Sequence, residues 1–193
     1  PIIKIAWNCH RNRTVFIRDV GKHKKMKILK IIFFLLISYS ASACECIIIK
    51  SVEKEYNDAN YVASGKVVQI DYVQIQQELN GKSKVSTSKS KEEFNIFKGL
   101  VLAKITLKAD EVFKGNKRKK EVIIYTGSSG GGDCGFYFEL NKQYLIYAFK
   151  DSWGTKELRD SNKKYRRALY TDTCTRTKII DPQEIEKVRL LKK

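Results

Sequence analysis

Apolar and polar residues alternate through most of residues 61–170, and the pattern predicts strands. Residues 61–70 are rich in β-branched side chains, with Gly65 marking a bulge or a sharp bend. Ala103, Ile105, Leu107 and Ala109 alternate with Lys104, Thr106, Lys108 and Asp110, a half-buried strand running on to Val112-Phe113. Lys114-Gly115-Asn116 turns the chain into a further strand over 121–126. Residues 136–140 and 144–148, joined across Asn141-Lys142-Gln143, read as a hairpin, and a last strand is expected near 168–170. The polar stretch 74–93, with Asn80-Gly81, predicts an extended hairpin or a mobile loop, and 150–168 a basic, polar connection. Helices are expected only near the two ends of this region. Ser51 caps a short one through Tyr56, and Asp181 caps another that has Pro182 first and Ile185 and Val188 as its apolar face. Five or six strands with a helix near each end give a mainly β fold, with a small closed barrel expected. The pattern alone does not separate such a barrel from a sandwich.

Residues 1–43 follow another logic. Lys27 and Lys30 flank a basic start, residues 31–37 form a short apolar core, and Ala41-Ser42-Ala43 supplies small residues at an A-x-A site. This is a signal peptide over 26–43, its apolar stretch too short to span a bilayer. Met26 is the sole methionine, so 1–25 are read as an upstream extension outside the mature protein. Cleavage after Ala43 makes Cys44 the first residue of a single exported domain, 44–193, secreted or held in the periplasm or envelope.

Removing the leader changes the chemistry on offer. The chain carries 38 Lys/Arg and 21 Asp/Glu, of which residues 1–43 hold nine and one, leaving +9 on 44–193. The basic segments 114–120 and 163–167 are candidates for an anionic glycan or envelope polymer, while export argues against nucleic acid. Both histidines, His10 and His23, lie in the leader. Ser-His and Cys-His nucleophile pairs and His-bearing zinc sites are therefore excluded, and no enzyme motif or cofactor is expected. Of five cysteines, Cys44, Cys46, Cys134 and Cys174 remain. An even count in an exported chain predicts two disulfides. A Cys44–Cys46 bridge would close a strained, tiny loop, which leaves two long-range pairings open.

Cys44-x-Cys46, Gly65-Lys66-Val67, Val112-Phe113-Lys114-Gly115, Thr126-Gly127, Cys134-Gly135, Tyr144-Leu145-Ile146 and Cys174 with Arg176 occur in order over nearly all of 44–193. The set resembles the tissue inhibitors of metalloproteinases and the wider netrin-like domain group. The resemblance implies an OB-like five-stranded barrel with flanking helices, a Cys44–Cys134 and a Cys46–Cys174 disulfide, and inhibition of a zinc metallopeptidase. In that family the mature N-terminus lies on the catalytic zinc of the target. Here the α-amino nitrogen and carbonyl oxygen of Cys44 would chelate it, with Glu45, Cys46, Ile47, Gly132 and Asp133 widening the contact. The Gly-rich loop 127–133 lacks the Lys-Ser/Thr and the helix that a phosphate cradle needs.

The chain departs from the family pattern at Glu45, where a small uncharged residue is usual. A carboxylate in an apolar pocket is costly without a donor, so a target with a polar or basic pocket is implied. The third barrel disulfide and the second domain of the family are missing. Two other readings use the same residues. Ala41-Ser42-Ala43-Cys44 also resembles a loose lipobox, in which Cys44 would be lipidated and its amine acylated. The alternative to the inhibitor is a netrin-like extracellular or envelope binding module without inhibitory activity.

Overall fold

The structure, a computed structural model, describes Cys46 and residues 50–78, 83–128 and 133–192. These belong to one compact unit, Ala43–Lys193. The extension 1–25, the signal peptide 26–43, Cys44, Glu45, Ile47, the Asn80-Gly81 turn and Gly132 lie outside the described residues. Among the described residues no helix is long and apolar enough to cross a membrane.

The fold is mainly β with short helices. Helix α1 (Val52–Asp58) starts where the Ser51 hydroxyl accepts from Lys54 N at 3.2 Å. Strands β1 (Tyr61–Gln77), β2 (Ser83–Ser88), β3 (Leu100–Lys114), β4 (Glu121–Gly127) and β5 (Gln143–Ala148) follow. Helix α2 (Trp153–Ser161), the short β6 (Leu169–Tyr170) and β7 (Lys178–Ile179), and helix α3 (Pro182–Leu191) complete the chain. β1 is the centre of the sheet. Its first half pairs with β5, its second half with β2, and its whole length with β3. Register shifts at Ser64/Gly65 and Val67/Gln69 bend it. Gly65 is needed there, because a Cβ would stand 2.4 Å from the Lys108 carbonyl oxygen.

The strands form one seven-stranded sheet in the order β6-β4-β3-β1-β5-β7, with β2 on β1. All ladders are antiparallel except β4–β6. The expected closed five-stranded barrel is not found. β5 gives its free edge to β7, through Tyr144–Ile179 and Leu145–Lys178, so only the Phe149–Tyr170 pair reaches β6. One residue further, Lys150 N turns away to Asn60 Oδ1 at 2.7 Å and its carbonyl accepts from Thr155 and Arg159 on α2. The ladder that would have closed a barrel ends after one pair.

Two further expectations are corrected. Residues 136–140 are not a strand, although Phe136 and Phe138 point inward and Tyr137 outward. Their backbone donors go to side chains instead: Phe136 N to Thr126 Oγ1 at 2.7 Å and Glu139 N to Tyr144 Oη at 2.9 Å. The supposed connection 150–168 contains α2, opened by a capping box between Ser152 and Thr155.

Three apolar clusters hold the layers together. Ala63, Val67, Ile105, Leu107, Ile124 and Ile146 fill the core on one face of the sheet. Tyr56, Val62, Phe113, Leu145, Ile185 and Val188 join α1 and α3 to it. Leu102, Tyr125, Leu158, Tyr165 and Tyr170 pack α2 over the far end of the opposite face. Each fully buried Leu, Ile or Val contributes about 1.5–3 kcal/mol relative to exposure.

Candidate functional site

The expected site residues that the structure describes are Cys46, Asp133, Cys134 and Cys174. Cys46 is bonded to Cys174 across 128 residues, their Cα atoms 5.2 Å apart. Cys174 lies on a turn set by Asp172, whose carboxylate accepts from Cys174 N at 2.9 Å and Thr175 N at 3.1 Å. Burial pushes the Asp172 carboxyl above its ordinary value, against the pull of these two N–H groups. The carbonyl of Cys134 accepts from both the N–H and the hydroxyl of Thr173, at 2.9 and 3.1 Å. The Cys134 segment is thereby fixed beside the Cys46–Cys174 bridge.

The base of the Gly-rich loop is tightly crossed. Cys134 has φ 53°, Gly135 N donates to Asp133 Oδ1 at 3.1 Å, and Gly135 lies on the backbone of Gly127. A Cβ on Gly135 would fall 2.1 Å from the Gly127 carbonyl oxygen, so only glycine permits the crossing. Cys134 is itself disulfide-bonded. The pairing expected for it, Cys44–Cys134, lies outside the described residues, and so do the other expected contacts, Glu45, Ile47 and Gly132.

A charged clamp that the sequence did not single out secures the segment after Cys46. Arg176 Nη1 donates to the Lys50 carbonyl at 2.9 Å, and Arg176 N donates to Glu55 Oε1 at 3.3 Å. The same guanidinium meets the buried Glu184 carboxylate of α3 through Nε at 2.9 Å and through Nη2. Tyr147 Oη donates to Glu184 Oε1 at 2.9 Å, and Lys178 pairs with the other oxygen. Burial opposes the charge on Glu184, but the bonds from Arg176, Lys178 and Tyr147 outweigh it and hold the carboxyl below its ordinary value. Glu55, also buried, meets Lys50 at 3.7 Å and the Arg176 N–H among the described residues, and burial outweighs them, so its carboxyl is raised.

Between bridge and clamp lies a cleft of about 380 Å³. Phe149, Tyr170 and the disulfide line it beside Lys50, Glu55 and Asp172, with the Lys50 ammonium 5.9 Å from the Phe149 ring centre. Sequence reasoning noted Arg176 only within the resemblance and read Glu55 only as part of a helix. Its burial depends on a partner 121 residues away, which no local pattern announces. No protein-family model matches the chain, and no curated protein matches it.

Proposed function

We propose that residues 44–193 form an exported inhibitor of zinc metallopeptidases, in which the free N-terminal Cys44 chelates the catalytic zinc of the target. The observation that carries this reading is the Cys46–Cys174 bridge with Cys134 hydrogen-bonded to the adjacent Thr173. It is one of the two pairings implied by the resemblance to tissue inhibitors of metalloproteinases. It also anchors the chain two residues beyond the proposed terminus. The strand order, with β1 shared between β3 and β5, β6 parallel to β4, and a Phe149–Tyr170 link, supports an OB-like relationship without a closed barrel.

A catalytic zinc keeps one coordination position for water, and a bidentate nitrogen–oxygen ligand displaces that water. An α-amino group with a pKa near ~8 loses its proton to zinc at modest cost. The bridge and the Arg176–Lys50 hydrogen bond reduce the freedom lost on binding, which raises affinity without new contacts. Glu45 directs the inhibitor toward a target pocket with a polar or basic group.

The test is a panel of zinc peptidases assayed with protein beginning at Cys44 and with the same protein carrying one extra N-terminal alanine. The extension removes the chelating amine from its place, and a loss of about 100-fold or more in inhibition, near 3 kcal/mol, is expected. Equal potency of the two forms would remove the chelation mechanism. Inhibition by neither form, or a first residue found lipidated by intact mass, would remove the inhibitor reading.

A further inference from the structure

We propose that the open half of the outer sheet face, on β1, β3 and β4, binds a linear anionic polysaccharide, an activity separate from peptidase inhibition. Val67, Leu107 and Ile124 are buried in the core on one face of the sheet, so their alternating neighbours face the other way. Lys66 stands directly opposite Lys108, and Lys108 opposite Glu121. The next row is Gln69, Thr106 and Ile123. Helix α2 and its following turn cover this face only from Tyr125 onward. Lys66, Lys108, Glu121 and Ile123 are exposed.

The fold brings both basic segments to the borders of this one stretch. Ala109 N donates to the Lys120 carbonyl at 2.8 Å, which places residues 117–120 (Lys-Arg-Lys-Lys) beside Lys108. At the other border, the Tyr165 ring meets Tyr125 edge-on with centres 6.0 Å apart, so Lys163, Lys164, Arg166 and Arg167 flank the covered end. Glu121 and Tyr125 are four residues apart on one strand, about 13 Å. Among the described residues none of the cations in these two segments, nor Lys66 or Lys108, has an ion pair. The acids on the face are Glu121, which lies beyond ion-pair distance of Lys108, Asp110, which is exposed at the border and accepts from Gln143 at 3.3 Å, and Asp71, which is buried and taken by Lys104 at 2.9 Å.

Like charges directly opposite across a ladder are unfavourable, and long-lived pairing with an outside anion removes that cost. The shape of the face selects among polyanions. Its open part presents no exposed aromatic ring on which bases stack, since Tyr125 and Tyr165 are both buried. Its apolar residues, Val68 and Ile123, are short side chains on a strand, 38% and 45% exposed, with no amphipathic helix to enter a lipid surface. Thr106 offers a hydroxyl between the cations, and Gln69, whose amide nitrogen is held by Asp71 at 2.8 Å, offers its amide oxygen, both suited to sugar hydroxyls.

The experiment titrates the disulfide-bonded protein into fluorescent heparin fragments, with labelled single-stranded DNA and anionic vesicles as parallel arms. Binding to heparin should weaken at least about tenfold between roughly 50 and 200 mM salt, as for contacts that release counterions. The K66Q/K108Q variant should weaken it about tenfold, while melting at the wild-type temperature. R166Q/R167Q, at the other border, should produce a similar loss. Absence of heparin binding, or wild-type affinity in either variant, overturns the proposal. So does tighter binding of DNA or vesicles at the same salt.

Discussion

The two charged regions of this molecule treat the same side-chain chemistry in opposite ways. At the clamp, Arg176, Lys178, Glu184 and Glu55 are partly or fully buried, and each meets an opposite charge or a fixed donor. On the open sheet face, Lys66 and Lys108 stand in water with no ion pair among the described residues, although Glu121 lies across the ladder from Lys108. Burial explains the contrast. A charge withdrawn from water must be paired and hydrogen-bonded, or it costs several kcal/mol. An exposed lysine is solvated whatever lies nearby, so nothing in folding selects its neighbours. Charges at the clamp therefore report on stability, and charges on the face remain available to a partner.

This contrast can be broken at four points. The largest effect is expected from C46S/C174S, which frees a 128-residue separation and should lower stability by about 4–5 kcal/mol in urea titrations. A loss below about 1 kcal/mol would show that the clamp holds the segment without the bridge. Next, E184Q leaves Arg176 without its carboxylate and should cost about 3 kcal/mol. The paired change R176M/E184L should cost less than E184Q alone, because no charge is stranded. If the double variant is the weaker one, the pair is a net source of stability.

The third point is acid response. Glu184 is held below its ordinary value, so its contribution is present above about pH 4.3 and is lost as pH falls through the folded value. The difference between wild type and E184Q should shrink on acidification. Glu55 is raised by burial, so its ionisation weakens the fold as pH rises from about 4.3 through its folded value. E55Q should gain on wild type over that interval, the opposite trend. Parallel pH profiles for the two variants would contradict these environments. The smallest effect belongs to K66Q/K108Q, which should change stability by less than about 0.5 kcal/mol, slightly upward because a like-charge pair is removed. A marked loss would place these lysines in the folding energetics after all.

Local devices were legible in the sequence, and distant ones were not. Ser51 and Asp181 marked their helices correctly because an N-cap acts within three residues. The alternation of 103–109 and the bend at Gly65 were legible for the same reason. Helix α2 escaped because Leu158, at 0% exposure, anchors a short segment with no apolar repeat at helical spacing, and its start rests on Ser152 and Thr155. The false strand at 136–140 shows the converse. Alternation records which side chains point inward, and a ladder also needs backbone partners, which Thr126 and Tyr144 supply here by side chain. The open sheet was hidden for a related reason, since β7 is only Lys178–Ile179 yet takes the edge that closure required. Of the candidate site, the Cys46–Cys174 pair was legible through a resemblance, whereas Glu55 and Glu184 look like ordinary helix surface until Arg176 is placed between them.

The distance in sequence between Cys46 and Cys174 also orders events in time. In synthesis or in threading through a pore, the first thiol emerges 128 residues ahead of its mate, and Arg176 arrives later still. The Cys46–Cys174 bond cannot form until almost the entire polypeptide is through. The segment next to the proposed zinc-binding tip is therefore among the last to set.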